Sequence, residues 1–168
     1  VFNFDLLDAP FKSDFLFEVV KRSIELMDSV GALPTWALSN HDSPRVASRL
    51  GEVQSRALAL FVFGLPGSCY IYAGQELGLP DGVMPDEARQ DPIYFRTQGT
   101  QLGRDGARVP LPWSNDSAPF GFTSGTPWLP MQDSWKDFTI DNQRFNPKSS
   151  LNIYRNALDL RKEHLVAA

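Results

Sequence analysis

The sequence contains one cysteine, Cys69, and two histidines. A single cysteine cannot form an internal disulfide, so no disulfide framework is expected, and the apolar neighbours of Cys69 indicate a small buried hydrophobic residue. Neither cysteine nor histidine occurs at the spacing of a zinc site. We therefore predict neither a metal nor a cofactor, and the redox compartment stays open.

Long apolar runs and clusters of basic residues are also missing. No apolar segment is long enough to cross a bilayer, and the basic residues are scattered along a chain with a net charge of −4. A protein that binds nucleic acid or an anionic membrane would concentrate lysine and arginine on one face. We therefore expect a neutral ligand and neither a nucleic-acid nor a membrane partner. Of the possible locations we favour the cytoplasm.

Several local motifs of common enzyme classes do not occur. The sequence has no Walker-type phosphate loop, no dinucleotide-binding glycine fingerprint and no nucleophile elbow. Its acidic loop, Asp81, Asp86, Glu87 and Asp91, lacks the spacing of a calcium loop, which favours a solvated face. These absences exclude the usual nucleotide-binding, triad-hydrolase and metalloprotease interpretations.

Strands and helices alternate in the first half of the chain. Apolar, β-branched and aromatic runs predict strands at residues 1–7, 35–39 and 68–73. Helical periodicity predicts helices at 15–30, at 43–50 with Ser43 as its cap, at 53–63 after a break at Gly51, and at 151–164. This order predicts an α/β fold with a parallel sheet.

Residues 74–148 form a long excursion between the third strand and the last helix. They contain three of the four tryptophans and show no sustained periodicity. An excursion of this length inside a compact domain is usually functional or ordered by a neighbouring domain, and the aromatic content argues against disorder. We therefore expect an ordered segment within one domain, 1–168.

Three polar residues, Asn40, His41 and Asp42, follow the second predicted strand. In parallel α/β architectures the active site is built at the carboxyl ends of the strands. Asp42 is therefore a candidate for chemistry. The alternative is that Asp42 helps to cap the helix beginning at Ser43 and that His41 is a partly buried hydrogen-bonding residue.

Residues 39–46, Ser-Asn-His-Asp-Ser-Pro-Arg-Val, resemble the Asn-His-Asp motif after the seventh barrel strand of the α-amylase superfamily. Residues 70–78 resemble its eighth strand and acidic tail. Residues 104–113 resemble the Arg-Asp-x-x-Arg-Thr-Pro stretch of the α-glucosidase and oligo-1,6-glucosidase branch, with Val109 in place of the threonine. Further similar segments follow in the same order at 121–123, 127–128 and 151–163.

The resemblance implies part of a (β/α)8 TIM barrel, about strands six to eight with their helices. Residues 1–168 would then be the C-terminal portion of the catalytic domain, a fragment cut at both ends, with 74–148 as a loop excursion after the last strand. The superfamily takes its nucleophile and general acid from strands four and five. Both groups are therefore expected upstream and absent from this chain.

The resemblance also implies roles for individual residues. It assigns Asp42 to the hydroxyls of the glucose being cleaved, as the stabiliser of the transition state, and His41 to a hydroxyl of the same sugar. It assigns Arg108 to the closed end of the pocket, with Arg104 as a second substrate-binding candidate. Either arginine could instead clamp a loop by pairing with Asp105 or another carboxylate.

The function implied is a retaining glycoside hydrolase of the α-glucosidase or oligo-1,6-glucosidase type, in carbohydrate metabolism. Its substrate would be an α-linked gluco-oligosaccharide or disaccharide, and it would need the remainder of the polypeptide for activity. A sucrose isomerase or a trehalose-forming transglycosylase would use the same carboxylates. A different class, the non-enzymatic barrel module of a transporter subunit, is the remaining alternative.

Overall fold

Two short strands lie side by side in the computed structural model, which describes residues 3–166. β1 (Thr35–Ala37) pairs in parallel with β2 (Ser68–Tyr70). Trp36 of β1 also forms a parallel bridge with Asn3. The parallel arrangement of the second and third predicted strands is therefore confirmed, although both strands are shorter than expected.

The predicted strand at residues 1–7 is wrong after Asn3. Its first two residues lie outside the part of the chain that the structure describes, and the backbone turns at Asp5. The Asn3 side chain accepts the backbone N–H of Asp5 at 3.0 Å, and Leu7 donates its N–H to Phe4 at 3.0 Å. Local bonding by the asparagine side chain thus replaces strand pairing in this segment.

The first helix, α1 (Ser13–Asp28), matches its predicted periodicity. Leu16 and Val19 are its buried residues. The backbone N–H of Gly31 donates to Asp28 at 3.1 Å, and the positive φ of +66° at Gly31 takes the chain out of the helical path. A glycine adopts this left-handed conformation without the steric cost of a side chain. The expected helix end at Gly31 is confirmed.

The second helix, α2 (Val46–Phe63), begins later than predicted. The expected cap, Ser43, lies outside it. Instead the hydroxyl of Ser39 accepts the N–H of the first helical residue at 2.8 Å, and Asp81 accepts the N–H of the preceding residue at 2.9 Å. The predicted break at Gly51 is confirmed by its non-helical φ of 76°.

The excursion after β2 is ordered by short helices and turns, as its aromatic content predicts. Its helices are α3 (Pro92–Arg96) and α4 (Ile140–Arg144), and its 3-10 turns are Asp86–Ala88, Asp105–Arg108 and Asp133–Phe138. The chain then forms α5 (Ser150–Arg161) and a π-helical turn, Lys162–Val166.

The apolar side chains form two clusters. The first joins β1, α1, α2 and α5, and includes Trp36, Leu58, Phe63 and Tyr154. The second lies within the excursion and is built from Leu77, Leu79, Met84, Val109, Phe120, Leu129 and Trp135. The excursion thus buries its own core, which holds its loops in place without a regular sheet. Among the described helices, none is long and apolar enough to cross a membrane.

Cys69 is half-buried rather than fully buried. It packs against the first cluster, and its thiol donates to the carbonyl of Val62 at 3.5 Å. Burial raises the pKa of the Cys69 thiol, so the reactive thiolate is disfavoured near neutral pH. A packing role therefore fits the geometry.

We predict that Gly67→Ala destabilises the protein by about 2 kcal/mol or more. Gly67 has a φ of +97°, and a Cβ at this position would lie 2.1 Å from the carbonyl oxygen of Pro34. That carbonyl accepts the N–H of Ser68 at 3.0 Å, so the clash would push β1 and β2 apart. Thermal unfolding of the full-length protein measures the loss. Gly125→Ala is the control, because its nearest neighbour would lie at 3.8 Å, and an equal melting temperature for the two variants would contradict the prediction.

Candidate active site

Asp42 lies in the loop that leaves the carboxyl end of β1. Asn40 shapes this loop, because its side-chain oxygen accepts the backbone N–H groups of Asp42 and Ser43, each at 2.9 Å. The Asp42 side chain is 51% exposed, and its carboxylate accepts hydrogen bonds from arginine side chains rather than from the start of α2. The alternative in which Asp42 caps that helix is therefore wrong.

Two arginines at the ends of the 3-10 turn Asp105–Arg108, Arg104 directly before it and Arg108 as its last residue, converge on one oxygen of Asp42. Arg104 Nη1 donates to Asp42 Oδ1 at 3.0 Å, and Arg108 Nη2 donates to the same oxygen at 2.9 Å. Arg108 Nε also donates to the backbone carbonyl of His41 at 2.8 Å. These bonds, with that from Arg104 the strongest influence, hold the pKa of Asp42 below its ordinary value. Asp42 is therefore an anion at neutral pH.

The second oxygen of Asp42 faces His41. His41 Nε2 lies 3.3 Å from Asp42 Oδ2, and both side chains are more than half exposed, at 64% and 51%. The alternative of a partly buried His41 is wrong, because its side chain is largely exposed beside the carboxylate. Asp42 Oδ2 and the imidazole thus form an accessible polar pair next to the arginine-bound oxygen.

The guanidinium of Arg104 donates hydrogen bonds to two carboxylates, Asp42 and Asp91. Besides Asp42, it bonds Asp91 through Nε at 2.6 Å and Nη2 at 3.3 Å, and its backbone N–H donates to Asp91 at 2.9 Å. The Asp91 side chain is only 1% exposed, and it also caps α3 by accepting the N–H of Ile93 at 3.1 Å. With Arg104 as the main cause, the pKa of Asp91 is well below its usual range.

The prediction of a solvated acidic loop is correct for Asp86 and Glu87, which are exposed. It is wrong for Asp81, which is half-buried and accepts the N–H of Arg45, and for Asp91, which is buried. The hydrogen bond from Ile93 and the ion pair with Arg104 replace the water that the Asp91 carboxylate loses on burial. Asp105, considered as a partner for the arginines, is also buried and instead accepts the N–H groups of Gln90 at 2.9 Å and Asp91 at 3.1 Å. Arg104 does clamp a loop, but through Asp91 rather than Asp105.

Arg45 fixes the turn that carries the two arginines. It is buried and donates to the carbonyls of Ala73 at 2.8 Å and Ala107 at 2.9 Å. Its guanidinium also lies 4.8 Å from the ring centre of Tyr72, whose hydroxyl donates to Ala107 at 3.0 Å. The segment after β2 and the 3-10 turn are therefore joined, which places Arg108 over the end of β1.

The structure brings together all four residues that the sequence singles out: His41, Asp42, Arg104 and Arg108. Sequence reasoning missed Asp91 as a member of this group. A signal for its local role was present, since an aspartate directly before Pro92 is a typical helix N-cap followed by a first-turn proline. Its pairing with Arg104 is a tertiary contact with no local signal.

A cleft of about 590 Å³ opens beside the carboxylate, lined by Asp42, Arg104, Ile93, Arg96 and Gln101 among others. This volume lies within the roughly 300–1,000 Å³ typical of small-molecule sites. Within residues 3–166, no group of three or more histidine, cysteine or acidic side chains is placed to hold a metal ion.

A family model described as the catalytic domain of α-amylase matches residues 3–168. The chain belongs to the α-amylase family. The resemblance found in the sequence motifs is therefore confirmed. The chain is 33% identical over 151 residues to the oligo-1,6-glucosidase of Parageobacillus thermoglucosidasius. It is 34% identical over 172 residues to maltase A1 of Drosophila melanogaster.

These matches cover most of the chain but a small part of each relative. The first covers 76% of the chain and 27% of the oligo-1,6-glucosidase, and the second covers 96% of the chain and 29% of the maltase. The chain thus spans less than a third of the length of these curated relatives. The chain therefore corresponds to one portion of each of these two relatives.

Solved structures give the same result for the fold. The crystal structure of an α-glucosyl transfer enzyme is 34% identical, with a TM-score of 0.81 over 95% of the chain and 30% of that enzyme. An isomaltulose synthase variant from Erwinia rhapontici NX5, in complex with sucrose, is 25% identical, with a TM-score of 0.78 over 96% of the chain and 35% of the synthase. The chain is therefore part of an α-amylase-type barrel.

Proposed function

We propose that the chain supplies the sugar-binding carboxylate of an enzyme that hydrolyses α-glucosidic bonds of short oligosaccharides with retention of configuration. The observation that carries this proposal is the convergence of Arg104 and Arg108 on one oxygen of Asp42, while the other oxygen faces His41 and has no arginine bond. An ionised, half-exposed carboxylate with one oxygen that no arginine bonds is suited to accept hydrogen bonds from the hydroxyls of a bound sugar.

The negative charge of Asp42 has a use in the reaction itself. As the glycosidic bond breaks, the sugar ring flattens and gains positive charge, so a fixed anion that bonds its hydroxyls binds the transition state more tightly than the substrate. Under this proposal, His41 contacts a hydroxyl of the same sugar. Arg108 holds the carboxylate and the backbone of His41 together, and is assigned to the closed end of the pocket.

The proposal includes the place of the chain in the barrel. Residues 1–168 would be the C-terminal portion of the catalytic domain, from about strand six to strand eight, with 74–148 as the excursion after the last strand. The nucleophile and the general acid would come from residues outside 1–168. Together with those two groups, Asp42 would complete a trio of carboxylates around one glucose.

A transferase or isomerase is the second candidate. It is favoured by two of the similar structures, one an α-glucosyl transfer enzyme and the other an isomaltulose synthase in complex with sucrose. Both reactions share with hydrolysis the formation of a glucosyl intermediate, and differ in the group that accepts the glucose. The residues around Asp42 serve either outcome.

The full-length protein tests the proposal. Purified enzyme is incubated with p-nitrophenyl α-glucoside, maltose, isomaltose and sucrose, and the products are followed by chromatography and by NMR of the anomeric protons. Release of α-glucose supports a retaining hydrolase, whereas new disaccharides indicate transfer or isomerisation. No turnover of any of these α-glucosides would contradict the enzymatic proposal and favour a binding module.

We predict that Arg108→Lys raises KM for the glucoside and lowers kcat/KM by about tenfold or more. Arg108 donates from two nitrogen atoms to two acceptors, Asp42 Oδ1 and the carbonyl of His41, and a lysine ammonium cannot reproduce this planar fork. Arg155→Lys, on the exposed surface of α5, is the matched control. A kcat/KM for Arg108→Lys equal to that of the control would contradict a role at the sugar site.

A further inference from the structure

We propose that Asp91 is a positioning residue that keeps Arg104 from closing a two-point ion pair on Asp42, and so leaves Asp42 Oδ2, beside His41, without an arginine bond and able to accept from the sugar. The inference rests on the proposed function and adds to it the residue that controls access to the carboxylate. It is based on the hydrogen bonds that Arg104 donates to Asp91 and to Asp42.

The guanidinium of Arg104 presents its donors to two carboxylates at once. Nε and Nη2 bond Asp91 at 2.6 and 3.3 Å, whereas Nη1 alone bonds Asp42 Oδ1 at 3.0 Å. An arginine close to a single carboxylate favours two parallel N–H···O bonds. The preferred geometry is therefore made with Asp91, and Asp42 receives the remaining nitrogen.

Asp91 is itself held rigidly. Its side chain is 1% exposed, and its oxygens accept the backbone N–H groups of Ile93 at 3.1 Å and Arg104 at 2.9 Å. The backbone N–H of Asp91 donates to the buried Asp105 at 3.1 Å. A carboxylate fixed by so many backbone bonds does not follow the arginine, so the orientation of Arg104 is imposed by Asp91 rather than by the exposed Asp42.

The charges of the cluster support this division. Arg104 and Arg108 carry two positive charges, and Asp42 and Asp91 carry two negative charges, so the four ionised side chains sum to zero. Both arginines bond the same oxygen, Asp42 Oδ1, and leave Oδ2 beside His41. Without the charge of Asp91, Arg104 would have one carboxylate in reach and would bond both of its oxygens, in competition with the sugar hydroxyls.

A double-mutant cycle in the full-length enzyme tests the inference. Asp91→Asn keeps an oxygen that can cap α3 but removes the charge that binds Arg104, and Asp91→Ser keeps the cap with a shorter side chain. We expect Asp91→Asn to lower kcat/KM by about tenfold or more, with an increase in KM. In an Arg104→Gln background the same substitution should change kcat/KM by less than about twofold, because Asp91 acts through Arg104.

Asp86→Asn is the control, since Asp86 lies in the same acidic segment and its side chain is 76% exposed. An Asp91→Asn effect of equal size with and without Arg104 would overturn the inference, as would an Asp91→Asn enzyme that matches the control. If Asp91→Asn does not fold, Asp91→Ser takes its place in the cycle.

A crystal structure of the Asp91→Asn variant is the readout that does not depend on activity. We expect two nitrogens of Arg104 to bond the two oxygens of Asp42, and a single bond from Nη1 to Oδ1 would overturn the inference. An inactive wild-type enzyme would contradict the proposed function alone, and this structure would still decide the role of Asp91.

Discussion

Asp42→Asn in the full-length enzyme is expected to lower kcat by about a hundredfold or more while the fold is retained. The substitution removes the negative charge and keeps the shape, so the cleft stays intact. The one carbonyl oxygen of an asparagine would take the place of Asp42 Oδ1, to which Arg104 and Arg108 donate at 3.0 and 2.9 Å, and an NH2 group would take the place of Oδ2. The developing positive charge on the sugar would then have no anion at this position.

The measurement separates the charge from the packing. Asp42 is half exposed and lies outside α2, so the variant should unfold at a temperature close to that of the wild type. Asp141→Asn is the matched control, because Asp141 is a partly exposed carboxylate with an arginine at 3.7 Å. Turnover of Asp42→Asn within a few-fold of the control would show that Asp42 has no part in the transition state.

The position of Asp42 at a strand end can be predicted from the sequence, because it depends on the order of neighbouring elements along the chain. A short apolar strand, a polar tripeptide and a helix follow one another along the chain, and this order places Asp42 at a strand end. The resemblance of 104–113 to the α-glucosidase stretch added Arg104 and Arg108. Their convergence on Asp42 is a tertiary contact, made by a turn that Arg45 and Tyr72 fix in place.

Two of the wrong sequence predictions, those for Ser43 and Asp91, share one physical cause. Ser43 was expected to cap α2, but Ser39 and Asp81 satisfy the N–H groups at the start of that helix, and Asp81 lies far along the chain. Asp91 was expected in solvent, but a buried ion pair with Arg104 holds it inside the excursion. In both cases the partner of a polar group is distant in sequence, and no local pattern encodes it.

Residues 1–168 expressed alone are expected to release no glucose from an α-glucoside. Retaining glycosidases use two carboxyl groups roughly 5 Å apart, one as the nucleophile and one as the acid. The cleft beside Asp42 contains one further carboxylate, Asp91, and its oxygens are occupied by Arg104 and the N–H of Ile93. Under the proposed function both missing groups come from outside the segment.

The same segment is expected to fold without a cooperative transition, because it is part of an α-amylase-type barrel and presents apolar side chains to solvent. β1 and β2 form a two-stranded sheet in the described residues, and Phe4, Phe17, Leu26 and Val53 are each at least 59% exposed. Open strand edges and exposed apolar side chains both favour aggregation.

The purified segment is assayed with p-nitrophenyl α-glucoside beside the full-length enzyme and a heat-killed sample, and its thermal melt is recorded. Hydrolysis above the heat-killed control would contradict the assignment of the two carboxyl groups to the rest of the polypeptide, and a sharp two-state melt would contradict the dependence of folding on it.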